Sequence, residues 1–292
     1  MKLIEPKAEY IPQVDLYKHM ELCGRIAYKS EDKITEDSAR VFINNMINAK
    51  HGAVLEHGTV YLMAKVDFTT NSDILELDAK YAINPYSKVV VADGVVYITT
   101  NYRVIVENNW LNDMKYVSEP TIHHIKRYTM KFTTDRGISH ELVRHRKFSF
   151  LQESTRYCNY TKGKFGGAIT YIIPSWFIKA NKHQQDAFIQ TLKANEDCYI
   201  ALLGKWDDRV PDKRFKTGFK ENPLTPQEAR QILPNTLKTE IVMTGFAEDW
   251  IHFFNLRWKG TTGKPHPDMV ILAKKALEEF EKANVKEIID II

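Results

Sequence analysis

The chain is organised around the stretch Glu141-Leu142-Val143-Arg144-His145-Arg146-Lys147-Phe148-Ser149-Phe150-Leu151-Gln152-Glu153-Ser154-Thr155-Arg156-Tyr157. Cationic or titratable side chains stand side by side from Arg144 to Lys147, and Arg156 follows further along. Arginine presents a planar fork of donors that matches phosphate and carboxylate in pairs. Because short hydroxyl and amide groups lie between these cations, the stretch predicts a pocket that binds an anion and has room for polar recognition.

The preceding residues indicate how this stretch is held. Residues 128–134 are rich in β-branched and aromatic side chains, which favours a strand. Residues 135–137 form a turn signal, and we expect Ser139 to cap a helix that runs to about Lys147. The cations would then lie at the helix end and in the next loop, where binding residues are common. The alternative is a basic surface helix followed by a polar loop.

A zinc site is not predicted here, although His140-Glu141-Leu142-Val143-Arg144-His145 resembles the zinc-protease pattern. That pattern places its histidines at i and i+4, on one helix face. His140 and His145 are five positions apart, which is about 500° of rotation at ~100° per residue. Their side chains would therefore diverge.

Three blocks of the sequence resemble flavin-dependent thymidylate synthase, the ThyX family. Arg144-His145-Arg146, seven further residues, Ser154 and Arg156-Tyr157 match its central motif. His51-Gly52-Ala53-Val54-Leu55-Glu56-His57 is similar to an upstream block of the family. A C-terminal block of the family is similar to three successive segments of this chain, residues 230–234, 237–240 and 253–257. The blocks occur in the family's order, and the resemblance covers most of the chain except roughly residues 65–125.

The resemblance implies an α+β fold over residues 1–292, a single domain with a central, mostly antiparallel sheet flanked by helices. Residues 65–125 would be an insertion, and residues 88–100 within it predict a hairpin, because Asp93-Gly94 separates two β-branched runs. The family builds its active sites from several subunits of a homotetramer, so one chain would not contain a complete site.

The resemblance also implies the reaction. The chain would methylate dUMP to dTMP, with 5,10-methylenetetrahydrofolate as carbon donor and FAD reduced by NADPH, and without a cysteine nucleophile. Arg257 would be catalytic, stabilising negative charge on the uracil ring. FAD would be contacted by Ser30, His51, Ala53, Arg144, His145, Arg146, Gln152, Phe246, Glu248 and His252. The dUMP would be held by Glu141, Arg144, Gln152, Glu153, Ser154, Thr155, Arg156, Arg230 and Arg257.

Four of these positions depart from the family's pattern. Ala53 stands where relatives commonly have serine or threonine, so only a backbone contact could remain. Phe246, Glu248 and His252 stand where many relatives have asparagine, arginine and a polar residue. Phe246 could stack on adenine, but Glu248 would repel a phosphate, which puts the adenine-side contacts in question and leaves the uracil chemistry untouched.

Composition limits the class of protein. No apolar run reaches the ~20 residues needed to span a membrane, and residues 1–6 show no signal-peptide core. Three scattered cysteines do not form a disulfide framework, which indicates a reducing cytoplasm. A net charge of +4 allows anionic small molecules and does not require nucleic acid. We therefore expect neither a membrane nor a nucleic-acid partner.

Periodicity and turn signals predict the remaining elements. Strands are expected over residues 60–68 and 168–173, and a loop over 206–223. Helices are expected over residues 12–27, 35–48, 104–117, 176–205, 225–234, 246–256 with Thr244 as cap, and 268–283.

Two other classes of function stay open at this point. A basic nucleic-acid-binding module would bind generic oligonucleotides with a steep salt dependence and no flavin. A catalytically silent relative would bind FAD or dUMP without turnover, and the residues at Phe246 and Glu248 keep this alternative open.

Overall fold

The computed structural model of the chain describes residues 1–65, 72–156, 158–160, 168–204 and 223–292. The strands are β1 Lys2–Ile4, β2 Lys7–Tyr10, β3 Thr59–Lys65, β4 Lys88–Ala92, β5 Val95–Asn101, β6 Arg127–Asp135, β7 Ser149–Gln152, β8 Thr170–Ile172 and β9 Lys238–Phe246. The α-helices are α1 Leu16–Tyr28, α2 Ser38–Asn48, α3 Gly52–Leu55, α4 Ser72–Ala82, α5 Tyr102–Glu107, α6 Arg136–Leu142, α7 Lys182–Leu202, α8 Pro226–Ala229, α9 Ala247–Phe254, α10 Pro267–Lys282 and α11 Lys286–Ile289.

The main sheet has four antiparallel strands in the order β2-β6-β9-β7. β6 pairs with β9 from Arg127↔Phe246 to Asp135↔Lys238, and β7 lies on the other edge of β9. Side chains alternate between the two faces of a strand. Accordingly, Ile241 and Met243 of β9 pack with α9 and α10, whereas Val242 packs against α1. Helices therefore cover both faces of β9, and the strand is buried from Ile241 to Phe246.

A second antiparallel sheet has the order β3-β5-β4. Asp93 and Gly94 join β4 to β5 with φ values of 51° and 71°, the left-handed pair of a tight hairpin turn. Val96 and Ile98 of β5 pack against Phe42 of α2. The predicted hairpin is therefore confirmed. That residues 65–125 are an insertion stays a prediction, but Leu77, Tyr81, Val96 and Ile98 within this segment belong to a buried core.

A third, two-stranded sheet pairs β1 with β8 in parallel. Beside it, Tyr171 of β8 and Leu192 and Tyr199 of α7 form a further core. The α+β class with a mostly antiparallel central sheet is confirmed. No described helix is long and apolar enough to cross a lipid bilayer.

Two predicted helix caps are wrong. Asp135, rather than Ser139, caps α6, because its Oδ1 accepts a hydrogen bond from the Ile138 backbone N–H at 2.8 Å. Ser139 is buried inside the helix, and its hydroxyl donates to the Arg136 carbonyl. Thr244 lies inside β9, where its buried hydroxyl bonds to His57 and Thr129. At Ser139 the helix begins earlier than predicted, directly after β6, and at Thr244 the strand extends further than predicted.

Other boundaries differ because short 3-10 turns replace parts of the predicted helices. Such turns occupy Leu111–Tyr116 after α5, Phe177–Lys179 before α7 and Arg230–Ile232 after α8. Asn181 caps α7 in a reciprocal pair with Gln184, which fixes its start at residue 182. The Glu228 carboxylate accepts from the Thr225 N–H at 2.8 Å, which fixes the start of α8 beside residue 225, where the helix was predicted to begin. The end of the predicted strand over 60–68 and nearly all of the loop over 206–223 lie outside the described residues.

The corrected cap gives a direct test of the start of α6. Asp135→Ala removes the acceptor for the Ile138 N–H and should lower the free energy of unfolding by about 1 kcal/mol. Asp135→Asn keeps an acceptor oxygen and serves as the matched control, with a smaller loss. Urea unfolding of the three proteins measures both changes. Equal stability of the alanine variant and the wild type would contradict the assignment of this cap.

Candidate functional site

Arg257 is held by two residues of the central stretch. Its Nε–H donates to His145 Nε2 at 2.9 Å, and Nη1 donates to Glu141 Oε2 at 3.0 Å. Nη2 donates to the Glu141 carbonyl at 3.2 Å. A guanidinium has more N–H groups than these three, so both Nη atoms keep a donor for a ligand. The predicted catalytic arginine is thus fixed in position and still has N–H groups that can donate to a ligand.

Local structure explains why these residues meet. Glu141 lies in the last turn of α6, and His145 lies in the turn that follows. Arg257 lies on a π-helical segment, Asn255–Lys259, which continues α9 and ends at Gly260 with φ 70°. Single π turns inside helices often occur at functional sites. The sequence predicted a regular helix to residue 256. It did not predict the π-helical segment that places Arg257 beside Glu141.

His145 acts as a neutral acceptor in this cluster. Its side chain is buried, and burial together with the charges of Arg257 and His252 lowers its pKa to about 4. A ring that accepts at Nε2 carries its proton on Nδ1. His145 therefore stays uncharged at neutral pH and lets the cation of Arg257 lie beside it.

A cavity of about 540 Å³ opens next to Arg257. Arg144, Arg146 and Lys147 contribute exposed cations to its wall. Its other lining residues are His145, Phe148, Glu248, Asp249, His252, Leu256 and Arg257. This wall combines several cations with an apolar floor, which suits an anionic ligand that carries flat rings.

A second group of predicted residues lies at the other end of β7. Gln152 Nε2 donates to Ser139 Oγ at 2.8 Å and to Thr239 Oγ1 at 3.2 Å. Arg230 Nη1 donates to Thr155 Oγ1 at 3.0 Å, and Arg156 Nη2 reaches Gln227 Oε1 at 3.5 Å. The predicted dUMP residues therefore form two groups that are held by different hydrogen bonds, Glu141 with Arg257 and Thr155 with Arg230.

Glu153, in the second group, forms ion pairs with two lysines that were not predicted from the sequence. Its carboxylate is buried, and its Oε2 lies 2.8 Å from Lys238 Nζ and 3.9 Å from Lys29 Nζ. Burial opposes the charged form of Lys29, but Glu240, Glu153 and Glu31 together raise its pKa. These partners are distant in sequence, so only the fold shows that Glu153 is held inside an ion-pair network.

Ser30, His51 and Ala53 form a third group around the end of α1. Ser30 follows Lys29, the residue that ends α1 with φ 50°. His51 is exposed, and its Nδ1 shares a hydrogen bond of 2.8 Å with the Tyr28 hydroxyl. The Ser154 N–H donates to the Ala27 carbonyl at 3.3 Å. This group therefore adjoins the second group.

Of the residues that depart from the family pattern, Glu248 and His252 line the cavity of Arg257, and Phe246 lines a neighbouring cavity. Phe246 is only 7% exposed, so its ring has little surface left for stacking on a base. Glu248 is exposed and lies 2.8 Å from Lys88 Nζ, which belongs to β4. His252 is also exposed, with its ring centroid 6.3 Å from that of His145. The charge of Glu248 is thus countered by a lysine that sequence reasoning missed. In the part of the chain that the structure describes, no group of three or more His, Cys, Asp or Glu side chains could hold a metal ion.

A family model described as "Thymidylate synthase complementing protein" matches residues 95–284, about two thirds of the chain. The chain belongs to the thymidylate synthase complementing protein family. The match spans all of the central stretch and both arginines of the C-terminal block, which confirms the resemblance read from the sequence. It begins at the first residue of β5, inside the segment that was predicted to be an insertion.

Among named relatives, the flavin-dependent thymidylate synthase of Geobacter sulfurreducens is 34% identical over 122 residues, which is 42% of this chain and 43% of that protein. The enzyme of the same name from Corynebacterium diphtheriae is 30% identical over 145 residues, 49% of this chain and 52% of that protein. The family member thus aligns with about half the length of these curated relatives. Thymidylate Synthase X from Helicobacter pylori, solved with FAD and dUMP, is 14% identical, covers 98% of both chains and has a TM-score of 0.39.

The neutral state of His145 predicts a pH dependence of stability. Because its pKa is about 4 in the folded chain and about 6.5 when unfolded, the unfolded state binds more protons between these values. Stability contributed by neutral His145 is complete above pH 6.5 and is lost as pH falls toward 4. His145→Gln retains an acceptor but does not titrate. Its loss of unfolding free energy between pH 7 and pH 5 should be roughly 2 kcal/mol smaller than that of the wild type. Identical losses in urea titrations of the two proteins would contradict the assignment.

Proposed function

We propose that this member of the family is a flavin-dependent thymidylate synthase. It converts dUMP to dTMP with 5,10-methylenetetrahydrofolate as carbon donor and FAD reduced by NADPH as the source of reducing electrons. The named relatives support the activity, and the observation that carries it is the fixed guanidinium of Arg257 beside a cation-lined cavity.

The clamp on Arg257 suits the chemistry at the uracil ring. Methylation at C5 requires electron density there, which leaves negative charge on the ring oxygens as the reaction proceeds. A cation already held in place stabilises such charge without the cost of reorienting, an effect worth several kcal/mol in enzymes. Glu141 and His145 would hold Arg257, and its remaining N–H groups would donate to the ring.

The residues present fit an FAD site. Arg144, Arg146 and Lys147 offer cations for a diphosphate, and the half-buried Leu256 offers apolar surface for a ring. When bound, the flavin supplies the redox chemistry. His145 and Arg257 would orient and polarise what lies in the cavity, and His252 would line its rim. The adenine-side role of Phe246 is the least supported, because its ring is buried.

The cysteines agree with a reaction that uses no thiolate. Cys23 and Cys158 are buried, and Cys198 is half-buried. Burial raises the pKa of the Cys23 and Cys198 thiols. A raised pKa disfavours the nucleophilic thiolate. The phosphate of dUMP would instead be bound by Ser154, Arg156 and Arg230, and its uracil ring by the Arg257 cluster.

A visible absorption spectrum tests the proposal first. The purified protein is mixed with FAD, excess cofactor is removed, and spectra are recorded with and without dUMP. We expect a retained flavin band that shifts when dUMP is added, because both ligands would share the cavity. A protein that retains no flavin would contradict the proposal.

The Arg257→Ala variant tests whether Arg257 stabilises negative charge on the uracil ring without being needed for FAD binding. We expect kcat for dTMP formation to fall by about 10²–10³, because a fixed donor to developing charge is removed. The fraction of retained FAD should stay close to that of the wild type. Arg257→Lys is the matched control, since it keeps the charge but loses the fork. Wild-type turnover in the alanine variant would exclude the role assigned to Arg257.

We further propose a cytoplasmic homotetramer whose sites combine residues from different subunits. The Arg257 group and the Arg230 group are held by different sets of hydrogen bonds, which supports sharing, since each group would face a different neighbour. Light scattering should give four times the chain mass of 33.9 kDa. Arg257→Ala and Arg230→Ala chains, each inactive alone, should regain part of the activity when they are unfolded and refolded together. Activity that stays absent in the mixture would count against shared sites.

A further inference from the structure

Glu153 stands directly before the loop of residues 154–156, and its carboxylate is turned into the protein. The side chain is 1% exposed, and its Oε2 lies 2.8 Å from Lys238 Nζ. The Tyr160 hydroxyl donates to Oε1 at 3.2 Å, and burial together with the charge of Glu153 raises the pKa of this hydroxyl, so it remains a donor. The chain itself therefore engages both oxygens of the carboxylate, which leaves almost no surface for a substrate.

The backbone of Glu153 fixes the point at which this loop leaves the main sheet. Its N–H donates to the Glu240 carbonyl of β9 at 2.8 Å. Thr155, two residues further on, is buried, and its hydroxyl accepts from Arg230 Nη1 at 3.0 Å. The groups that the proposed function assigns to the phosphate of dUMP are therefore placed by the position of Glu153.

Lys238 supplies the charge that balances Glu153. Its side chain is 14% exposed, and its Nζ also lies 3.3 Å from Glu240 Oε1. Lys29 pairs with the other oxygen of Glu240 and lies 3.9 Å from Glu153 Oε2. Burial opposes the charged form of Glu240, but Lys238 and Lys29 together lower its pKa, so it stays ionised. These two lysines and two carboxylates carry no net charge as a group, so Lys238 is committed to its partners rather than to a ligand.

Removing one member of such a group has a different effect from replacing two. A buried charge that loses its partner strongly destabilises the structure around it, whereas an uncharged pair of similar size is often tolerated. Without Lys238, the Glu153 carboxylate keeps only the more distant Lys29 as a cation and would turn toward water. This rotation would displace the peptide that leads into residues 154–156 and would bring negative charge closer to the phosphate-binding groups.

We propose that Lys238 is a positioning residue for the substrate. It holds the Glu153 carboxylate inside the protein, together with Lys29 and Tyr160, and thereby gives residues 154–156 the geometry that binds a nucleotide monophosphate. Lys238 itself does not contact the phosphate. The inference rests on the proposed function for its choice of dUMP, but the order of the loop can be measured without that ligand.

The test measures the Kd of dUMP by calorimetry with the FAD-loaded full chain, and KM and kcat for dTMP formation. Lys238→Met should weaken dUMP binding about tenfold and raise KM in parallel, because the loop is no longer held. The value of kcat at saturating dUMP should stay unchanged. Lys238→Arg keeps the charge and should recover most of the affinity. Both variants should retain as much FAD as the wild type, because the Arg257 cluster is unaltered.

A double variant distinguishes positioning from direct contact with the substrate. Glu153→Gln combined with Lys238→Met leaves Glu240 paired with Lys29, and the glutamine keeps an acceptor for the Tyr160 hydroxyl. We expect this protein to bind dUMP within about threefold of the wild type, and so more tightly than Lys238→Met alone. A double variant as weak as the single variant would overturn the inference, because the lysine would then act on the phosphate itself.

Lys80→Met is the matched control, because Lys80 holds a carboxylate in the same way at another place. Its Nζ lies 2.8 Å from Asp113 Oδ2, which also accepts from the Tyr81 hydroxyl at 3.0 Å, and Tyr81 belongs to the core beside the second sheet. This variant should lose stability, as Lys238→Met does, but should bind dUMP like the wild type. Equal losses of dUMP affinity in the two variants, or no loss in Lys238→Met, would overturn the inference.

Hydrogen exchange makes the test independent of the proposed function. The Ser154 N–H donates to the Ala27 carbonyl at 3.3 Å, and the Cys158 N–H donates to the Ser154 carbonyl at 3.1 Å. Both amides should exchange about fivefold faster in Lys238→Met than in the wild type or in Lys80→Met. In a protein that binds no dUMP, this result would uphold the positioning role and reject the proposed function. Equal exchange rates in such a protein would reject both.

Discussion

The pairing of β6 with β9 is the constraint on which the rest of the structure depends. Its register runs from Arg127↔Phe246 to Asp135↔Lys238. Because the strands are antiparallel, α6 begins at one end of the pair and α9 begins at the other. α6 then runs from Arg136 to Leu142, and the π-helical continuation of α9 returns Arg257 to Glu141. A shift in register by one residue would exchange the two faces of β9, which pack against different helices, and would move both helix starts.

Charge around the sheet is arranged in two different ways. At the Lys238 end, carboxylates and lysines alternate, and Glu153 and Glu240 lie in a network with Lys29 and Lys238. At the Phe246 end, cations outnumber carboxylates, and the buried Arg127 bonds to neutral oxygens. The first arrangement is balanced within the chain, so it serves to fix β7 and α1. The second leaves a surplus of positive charge within the chain, which would suit an anionic ligand.

Sequence reasoning was most accurate where local patterns decide structure. The Asp93-Gly94 turn, the start of α8 at Thr225 and the helix over Pro267–Lys282 follow from turn chemistry, capping and periodicity. It failed at Ser139, because Asp135 caps α6 about one turn earlier, and at Thr244, because the pairing of β9 with β6 continues to Phe246. It also missed Lys29, Lys88 and Arg127, since an isolated lysine or arginine gives no local signal of the partner that it meets.

The sequence by itself determined the family, the α+β class and the identity of the residues around Arg144, His145 and Arg146, because motif order and periodicity are properties of the chain. Only the tertiary structure decided that Arg257 is clamped by Glu141 and His145. It also decided that the predicted ligand residues fall into separate groups along β7, and that Lys88 offsets Glu248. These outcomes depend on which strands pair and in what register. That choice is set by burial summed over the whole core, and no short stretch of sequence carries it.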